Sequence, residues 1–240
     1  MRSPNSFDRF LSTLISGDRP ASRQVLREEI AQLSAPSDAY EALLWPAMAQ
    51  LEALYVEDRI NAAAHALATR ILRSLVDQVQ TLLTPATPTG RQVIIACPAG
   101  ETEELGAQMV ADLLESRGWK VAFLGGGVPG DEILGLVGTM RPDVLMLYGT
   151  QPSGVPEVRR LVDLIRDVGV QPTMNILVSG GVFNRAEGLW NEVNADYFAP
   201  DIRATLDLIE TAPPRDPDDR LAGASRKRRR RRRPEEVLTA

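Results

Sequence analysis

Apolar residues recur at two different periods along this chain, and the change falls near residue 90. Before it, Phe7, Phe10, Leu11, Leu14 and Ile15 stand at helical spacing, and Gly17 closes that segment. A second helix is predicted over 22–33 from the stripe Val25, Leu26, Ile30 and Leu33. A third begins after Ser37-Asp38, a good capping pair, and continues through Leu43, Leu44, Met48, Leu51 and Leu54. Pro46 sits inside it and must kink it or reset its start. A fourth, rich in alanine and leucine, spans 59–83. Four helices with short connections predict a small bundle over 1–83.

Residues 84–90, TPATPTG, read as a linker from their proline, threonine and glycine content. Short apolar runs follow at 93–97 (VIIAC), 121–125 (VAFLG), 143–149 (DVLMLYG), 175–181 (NILVSGG) and 195–200 (ADYFAP). Helical stretches lie between and after them, at 101–117, 130–140, 155–168 and 201–211. Runs buried on both faces and separated by helices predict a parallel sheet. The fold class is α/β: an N-terminal four-helix bundle, then a flavodoxin-like domain with a five-stranded parallel sheet over 91–212. Residues 213–240, proline-rich and charged, are expected to be disordered.

Composition narrows the setting. The 240 residues hold one cysteine, Cys97, and one histidine, His65, so an internal disulfide and a structural zinc cluster are excluded. No apolar run reaches the roughly 20 residues of a membrane span. Asp8, Arg9 and Asp18 interrupt any signal-peptide core at the N-terminus, so a cytoplasmic protein that is not exported and not membrane-bound is expected. The net charge of −5 hides an asymmetry. The block Arg226, Lys227, Arg228, Arg229, Arg230, Arg231, Arg232 and Arg233 is followed by Glu235 and Glu236. Setting these aside leaves 19 basic and 30 acidic residues, a charge of −11 on residues 1–225. Such a block suits sequence-independent attachment to nucleic acid or another polyanion, or else a solvated tail folding back on the acidic body.

In a doubly wound sheet the ligand site lies beyond the carboxyl ends of the strands. The loops there are 97–106, 125–132, 148–157 and 179–187. Gly125-Gly126-Gly127-Val128-Pro129-Gly130 fits G-x-G-x-x-G, but it follows the second strand, holds Pro129, and has no acidic residue about twenty positions on at the end of the next strand. A loop needing flexible corners accounts for it equally. Glu101, Glu103 and Glu104 form a cluster that suits acid–base work or a hard cation. As first-turn residues of the helix predicted at 101–117 they would instead complement its dipole. Cys97 reads as a buried small hydrophobe, because the one histidine offers no triad.

Several of these segments bear a resemblance. Glu101-Thr102-Glu103-Glu104-Leu105-Gly106, then Arg117-Gly118-Trp119, Val121 and Leu124-Gly125 are similar to the Glu-x-His-x-x-Gly and "RGW-V-LG" signatures of the cobalamin-binding module. Arg141-Pro142-Asp143, Gly180-Gly181 and Asn194-Ala195-Asp196-Tyr197 also fall where that family places them. The module occurs in methionine synthase, in corrinoid proteins of methyltransferase systems and in light-responsive regulators of the MerR type, and the likeness covers residues 25–212. It implies a ligand between bundle and sheet. In the family the signature histidine ligates cobalt from below, a serine or threonine near the end of the third strand faces the nucleotide tail, and an aromatic with a Glu-His pair covers the upper face. Here Glu103, Tyr148, Tyr55, His65 and Ala66 stand at those positions, with Thr150 and Ser153 as remaining hydroxyls.

The resemblance therefore implies cofactor-binding roles for Tyr55, His65, Glu101, Glu103, Gly106, Tyr148, Thr150, Gly180 and Gly181, with no catalytic residue. The axial histidine motif is absent, which leaves cobalamin, heme or no cofactor open. The expected function is a non-catalytic sensor or regulatory protein acting through a protein partner, a homo-oligomer among the arrangements. The alternatives are a corrinoid carrier serving a methyltransferase, and a small-molecule enzyme using Glu101 and Glu103.

Overall fold

The computed structural model of the chain describes residues 4–217. The basic block Arg226–Arg233 lies outside the described residues. Four helices come first: α1 (Pro4–Ile15), α2 (Arg19–Ile30), α3 (Trp45–Val56) and α4 (Ala62–Gln80). Local chemistry sets their ends. The Asp18 carboxylate accepts from the Ala21 amide at 3.0 Å, so α2 begins at Arg19, three residues ahead of the predicted start. Asn61 caps α4 in the same way through the Ala64 amide at 2.9 Å, moving that start from 59 to Ala62. Pro46 resets the third helix. A π-helical turn, Tyr40–Leu44, precedes it, and the proline occupies the first turn of α3, where no amide donor is required.

The remainder runs β1 (Gln92–Ala96), α5 (Leu105–Ser116), β2 (Lys120–Gly125), α6 (Gly130–Met140), β3 (Val144–Tyr148), α7 (Val155–Val168), β4 (Asn175–Ser179), α8 (Gly181–Arg185), α9 (Leu189–Glu192), β5 (Tyr197–Ala199) and α10 (Ile202–Thr211). All five strands are parallel, in the order β2-β1-β3-β4-β5. Alternation along each strand divides the core. Val93, Ile95, Met146, Tyr148 and Leu177 face a cluster shared with α5, α10 and the bundle. Ile94, Ala96, Leu145, Leu147, Ile176 and Val178 face the second layer, which holds α6 and α7. The bundle core and one face of the sheet are thus a single apolar body.

The segment 84–90 is strapped to the corner between α5 and β2: the Ala86 amide donates to the Ser116 carbonyl at 2.8 Å and the Thr89 amide to the Gly118 carbonyl at 2.9 Å. One expectation changes here, the disorder predicted from residue 213 on. Residues 213–215 are structured. The Pro213 carbonyl accepts from Asn175 Nδ2 at 2.8 Å, and Arg215 Nε donates to Asp196 Oδ1 at 3.1 Å. The reason is Asp196, a nearly buried carboxylate that Arg166 and Arg215 neutralise together. Among the described residues no helix is long and apolar enough to cross a membrane.

Candidate functional site

A cleft of about 560 Å³ opens between the bundle and the carboxyl edge of the sheet. The bundle contributes Trp45, Met48, Glu52 and Glu57 from α3 and its end, and His65 and Thr69 from α4. The sheet side contributes Glu103, Tyr148, Thr150, Gly180, Gly181, Arg185 and Asp201, which follow or end β1, β3, β4 and β5. Six of the nine sequence-predicted residues therefore line one cavity: His65, Glu103, Tyr148, Thr150, Gly180 and Gly181.

The other three do different work. Glu101 is 9% exposed and acts as a loop latch. Its Oε1 accepts from the Thr102 and Glu103 amides, each at 3.1 Å, and from Thr150 Oγ1 at 2.8 Å, while Oε2 accepts from the Thr150 amide at 2.7 Å. Gly106 lies beneath Tyr148, where a Cβ would collide with the phenol ring. Tyr55 is 41% exposed and stacks on His65, with ring centroids 4.6 Å apart and planes 18° from parallel.

The acidic cluster is not the first turn of a helix. α5 begins at Leu105, so Glu101, Glu103 and Glu104 precede it, and the expectation of dipole complementation is corrected. The Glu104 carboxylate accepts from the Gly126 amide at 3.0 Å and lies 3.6 Å from Arg73 of α4. That bond also explains the glycine run: a Cβ at Gly125 would meet the Glu104 carboxylate, and one at Gly126 the Glu101 carbonyl. The amide a dinucleotide phosphate would want is already taken. Among the described residues no group of three or more acidic, histidine or cysteine side chains is placed to hold a metal ion.

Glu103 is the exception in its environment. Burial pushes its carboxyl above the ordinary range, with Glu52 adding to the rise and His65 and Arg73 opposing it. Both Glu101 oxygens are engaged by loop donors, so Glu101 and Glu103 do not assemble as an acid–base pair. Burial also pushes the Cys97 thiol up to about 12, helped by Glu104 and Glu101, which fits a packed side chain and not a nucleophile.

Sequence reasoning missed Glu52 and Arg185. His65 Nε2 lies 3.7 Å from Glu52 Oε2, and Arg185 Nη1 lies 3.5 Å from Glu52 Oε1. Arg185 also donates to the Thr150 carbonyl. One arginine on the sheet side thus ties a bundle carboxylate to the loop after β3. Nothing in the local pattern announces this, since the pair is 133 residues apart.

The donors do not fit a cobalt ion held axially from the sheet side. The position expected to supply imidazole carries the partly buried Glu103, and the position expected to face a nucleotide tail carries Tyr148, 3% exposed and seated against Gly106. His65 is the imidazole of the cleft, and it enters from the bundle.

Comparison with known proteins agrees with this architecture. The chain is 35% identical over 89 residues to the HTH-type transcriptional repressor CarA of Myxococcus xanthus, a stretch that is 37% of this chain and 31% of the repressor. It is 19% identical over 167 residues to dimethylamine corrinoid protein 1 of Methanosarcina acetivorans, covering 68% of this chain and 77% of that one. The monomethylamine corrinoid protein of Methanosarcina barkeri shares the fold with a TM-score of 0.75 at 13% identity, over 85% of this chain and 97% of the other. Two family models, each described as a B12 binding domain, match residues 6–80 and 91–206 and between them take in most of the chain. The chain therefore belongs to the cobalamin-binding module family.

Proposed function

We propose that this protein is a non-catalytic regulatory module in which a tetrapyrrole, received between bundle and sheet without a histidine from below, changes what the two parts present to a protein partner. The observation that carries the reading is a single cleft walled by both parts, with His65 entering from one side and Glu103 from the other. The repressor relative supports regulation.

The wall chemistry ranks the ligands. Met48, Ala49, Ala53 and Val56, with the edge of Trp45, supply apolar area for a flat ring. Glu52, Glu57, Glu103 and Asp201 outnumber Arg185 and His65 among the charged lining groups. Heme carries two propionates that would meet this acidic rim, whereas a corrin bears uncharged amides around a cationic centre. A corrinoid suits the cleft better on charge alone. The Arg185–Glu52 tie joins the two walls of the cleft, so a ligand that displaces it shifts the balance between closed and open arrangements.

The carrier reading is the second one, supported by the fold shared with the monomethylamine corrinoid protein. The test is a titration followed by visible absorption, with hydroxocobalamin, adenosylcobalamin and heme, on the wild type, His65→Ala and Glu103→His. A stoichiometric spectral change in the wild type is expected, weaker in His65→Ala and stronger for the corrinoids in Glu103→His. A wild type that leaves all three spectra unchanged would overturn tetrapyrrole binding. Binding that survives His65→Ala undiminished would remove His65 as the contact.

A further inference from the structure

The floor of the cleft is where this chain differs most from an open socket. Tyr148 ends β3, the central strand of the sheet, between β1 and β4. Its ring is 3% exposed and packs so closely on the first turn of α5 that a Cβ on Gly106 would overlap the hydroxyl and ring carbons. The neighbouring gap, between the ends of β1 and β2, is filled as well. The Glu104 carboxylate lies against Gly125 and holds the Gly126 amide at 3.0 Å. Among the described residues, Tyr148 and Glu104 thus occupy the space at the ends of β1, β2 and β3 beside the cleft.

From this closure we propose that Tyr148 is a specificity-determining residue, and that the cleft selects a tetrapyrrole with no bulky group hanging beneath its ring. The inference rests on the tetrapyrrole reading above and narrows it. The relevant chemistry is that of the ligands. Cobalamin carries a benzimidazole nucleotide on a long arm below the corrin plane. Cobinamide is the same ring ending in a short amino alcohol. A closed floor gives the nucleotide no place to extend, so it must stay folded under the ring and lift the corrin away from the apolar walls. Cobinamide needs no such space beneath its ring. The buried polar atoms that a nucleotide would need as partners are also committed, since the Glu101 and Glu104 carboxylates are bonded to the protein's own loops.

The test compares dissociation constants of cobinamide and hydroxocobalamin, by absorption or equilibrium dialysis, for the wild type, Tyr148→Ser and Tyr148→Phe. The readout is the ratio of the two constants within each protein, because the acidic rim acts on charge in all three alike. The wild type is expected to bind cobinamide about tenfold tighter or more. Tyr148→Phe keeps the ring and should keep the ratio. Tyr148→Ser opens the floor and should shrink or reverse it through a gain for hydroxocobalamin. A wild type that binds both equally would overturn the proposal, as would a folded Tyr148→Ser with an unchanged ratio. Should Tyr148→Ser fail to fold, the wild-type ratio at high salt, which screens the nucleotide phosphate from the acidic rim, decides: a preference for cobinamide that persists supports the closed floor, and one that vanishes overturns it. A wild type that binds neither corrinoid and no heme defeats the tetrapyrrole reading itself, a result distinct from binding without preference.

Discussion

Asp112, on α5 facing the bundle, is a carboxyl group kept out of water at 8% exposure, and its neighbour there is the buried Tyr40, whose hydroxyl donates to Oδ2 at 3.0 Å. Burial raises the Asp112 carboxyl from its ordinary 3.8 to about 6, the Tyr40 hydrogen bond working against that rise. Folding therefore favours the protonated acid. This contribution to stability is complete below about pH 4 and is lost as the pH climbs through about 6. Asp112→Asn keeps an acceptor for Tyr40 and cannot ionise. The stability difference between variant and wild type, from urea denaturation, should move in the variant's favour by on the order of 2 kcal/mol from about pH 4 to about pH 8. A pH-independent difference would show that Asp112 titrates normally.

At the scale of elements, the loops around the cleft are held by buried and half-buried carboxylates. Glu101 gathers three backbone amides and a hydroxyl, and Glu157 at the start of α7 takes the Ala99 amide at 3.0 Å. The loop after β1 is thus bound to the loop after β3 and to α7 before any ligand arrives. Removing the latch with Glu101→Ala leaves the Thr102, Glu103 and Thr150 amides to find water. A loss of about 2–3 kcal/mol is expected, with faster hydrogen exchange at Thr150 than in the wild type. Exchange at Thr150 as slow as in the wild type would mean that the backbone alone holds the loop. Gly180 shows the same economy of space. Its φ of +105° and its approach to the Gly149 backbone leave no room for a side chain, so the turn after β4 requires glycine for shape whatever it binds.

Across the whole molecule, bundle and sheet are joined by apolar packing more than by charge. α3 and α4 rest on α5, and one cluster runs from Phe10 and Leu14 through Leu105 and Met109 to Met146 and Leu177. The ion pairs across the boundary are partly exposed, as with Glu52 and Arg185, and pairs of that kind contribute about 1 kcal/mol or less. Two consequences can be measured. Glu52→Ala should cost less than about 1 kcal/mol, and unfolding should remain one transition. Tryptophan fluorescence reports Trp45 of α3 together with Trp119 and Trp190 of the sheet region, and far-UV circular dichroism reports all the helices. The two curves should coincide. A bundle that melts separately would contradict a shared core.

The sequence by itself determined the parallel sheet, the set of loops that carry the cleft, and the order and kind of the elements apart from the short α8 and α9 and the π-helical turn before α3. Those follow from periodicities of two and of 3.6 residues, which act between near neighbours and are visible in any short window. Capping chemistry shifted helix starts by only a few positions. The parallel sheet also brought five of the nine predicted residues to one cavity, because residues that end or follow parallel strands share an edge of the sheet, and His65 joins them from α4. Only the tertiary structure decided what each of those residues does. The Glu101 latch joins positions 49 apart, and the Glu52–Arg185 tie joins positions 133 apart. The Tyr148 ring is buried over the first turn of α5 because Gly106 of that element left room for it. Whether a carboxylate faces a ligand or a backbone amide depends on which loop closes beside it. That closure is governed by packing across the whole chain, which no local pattern encodes.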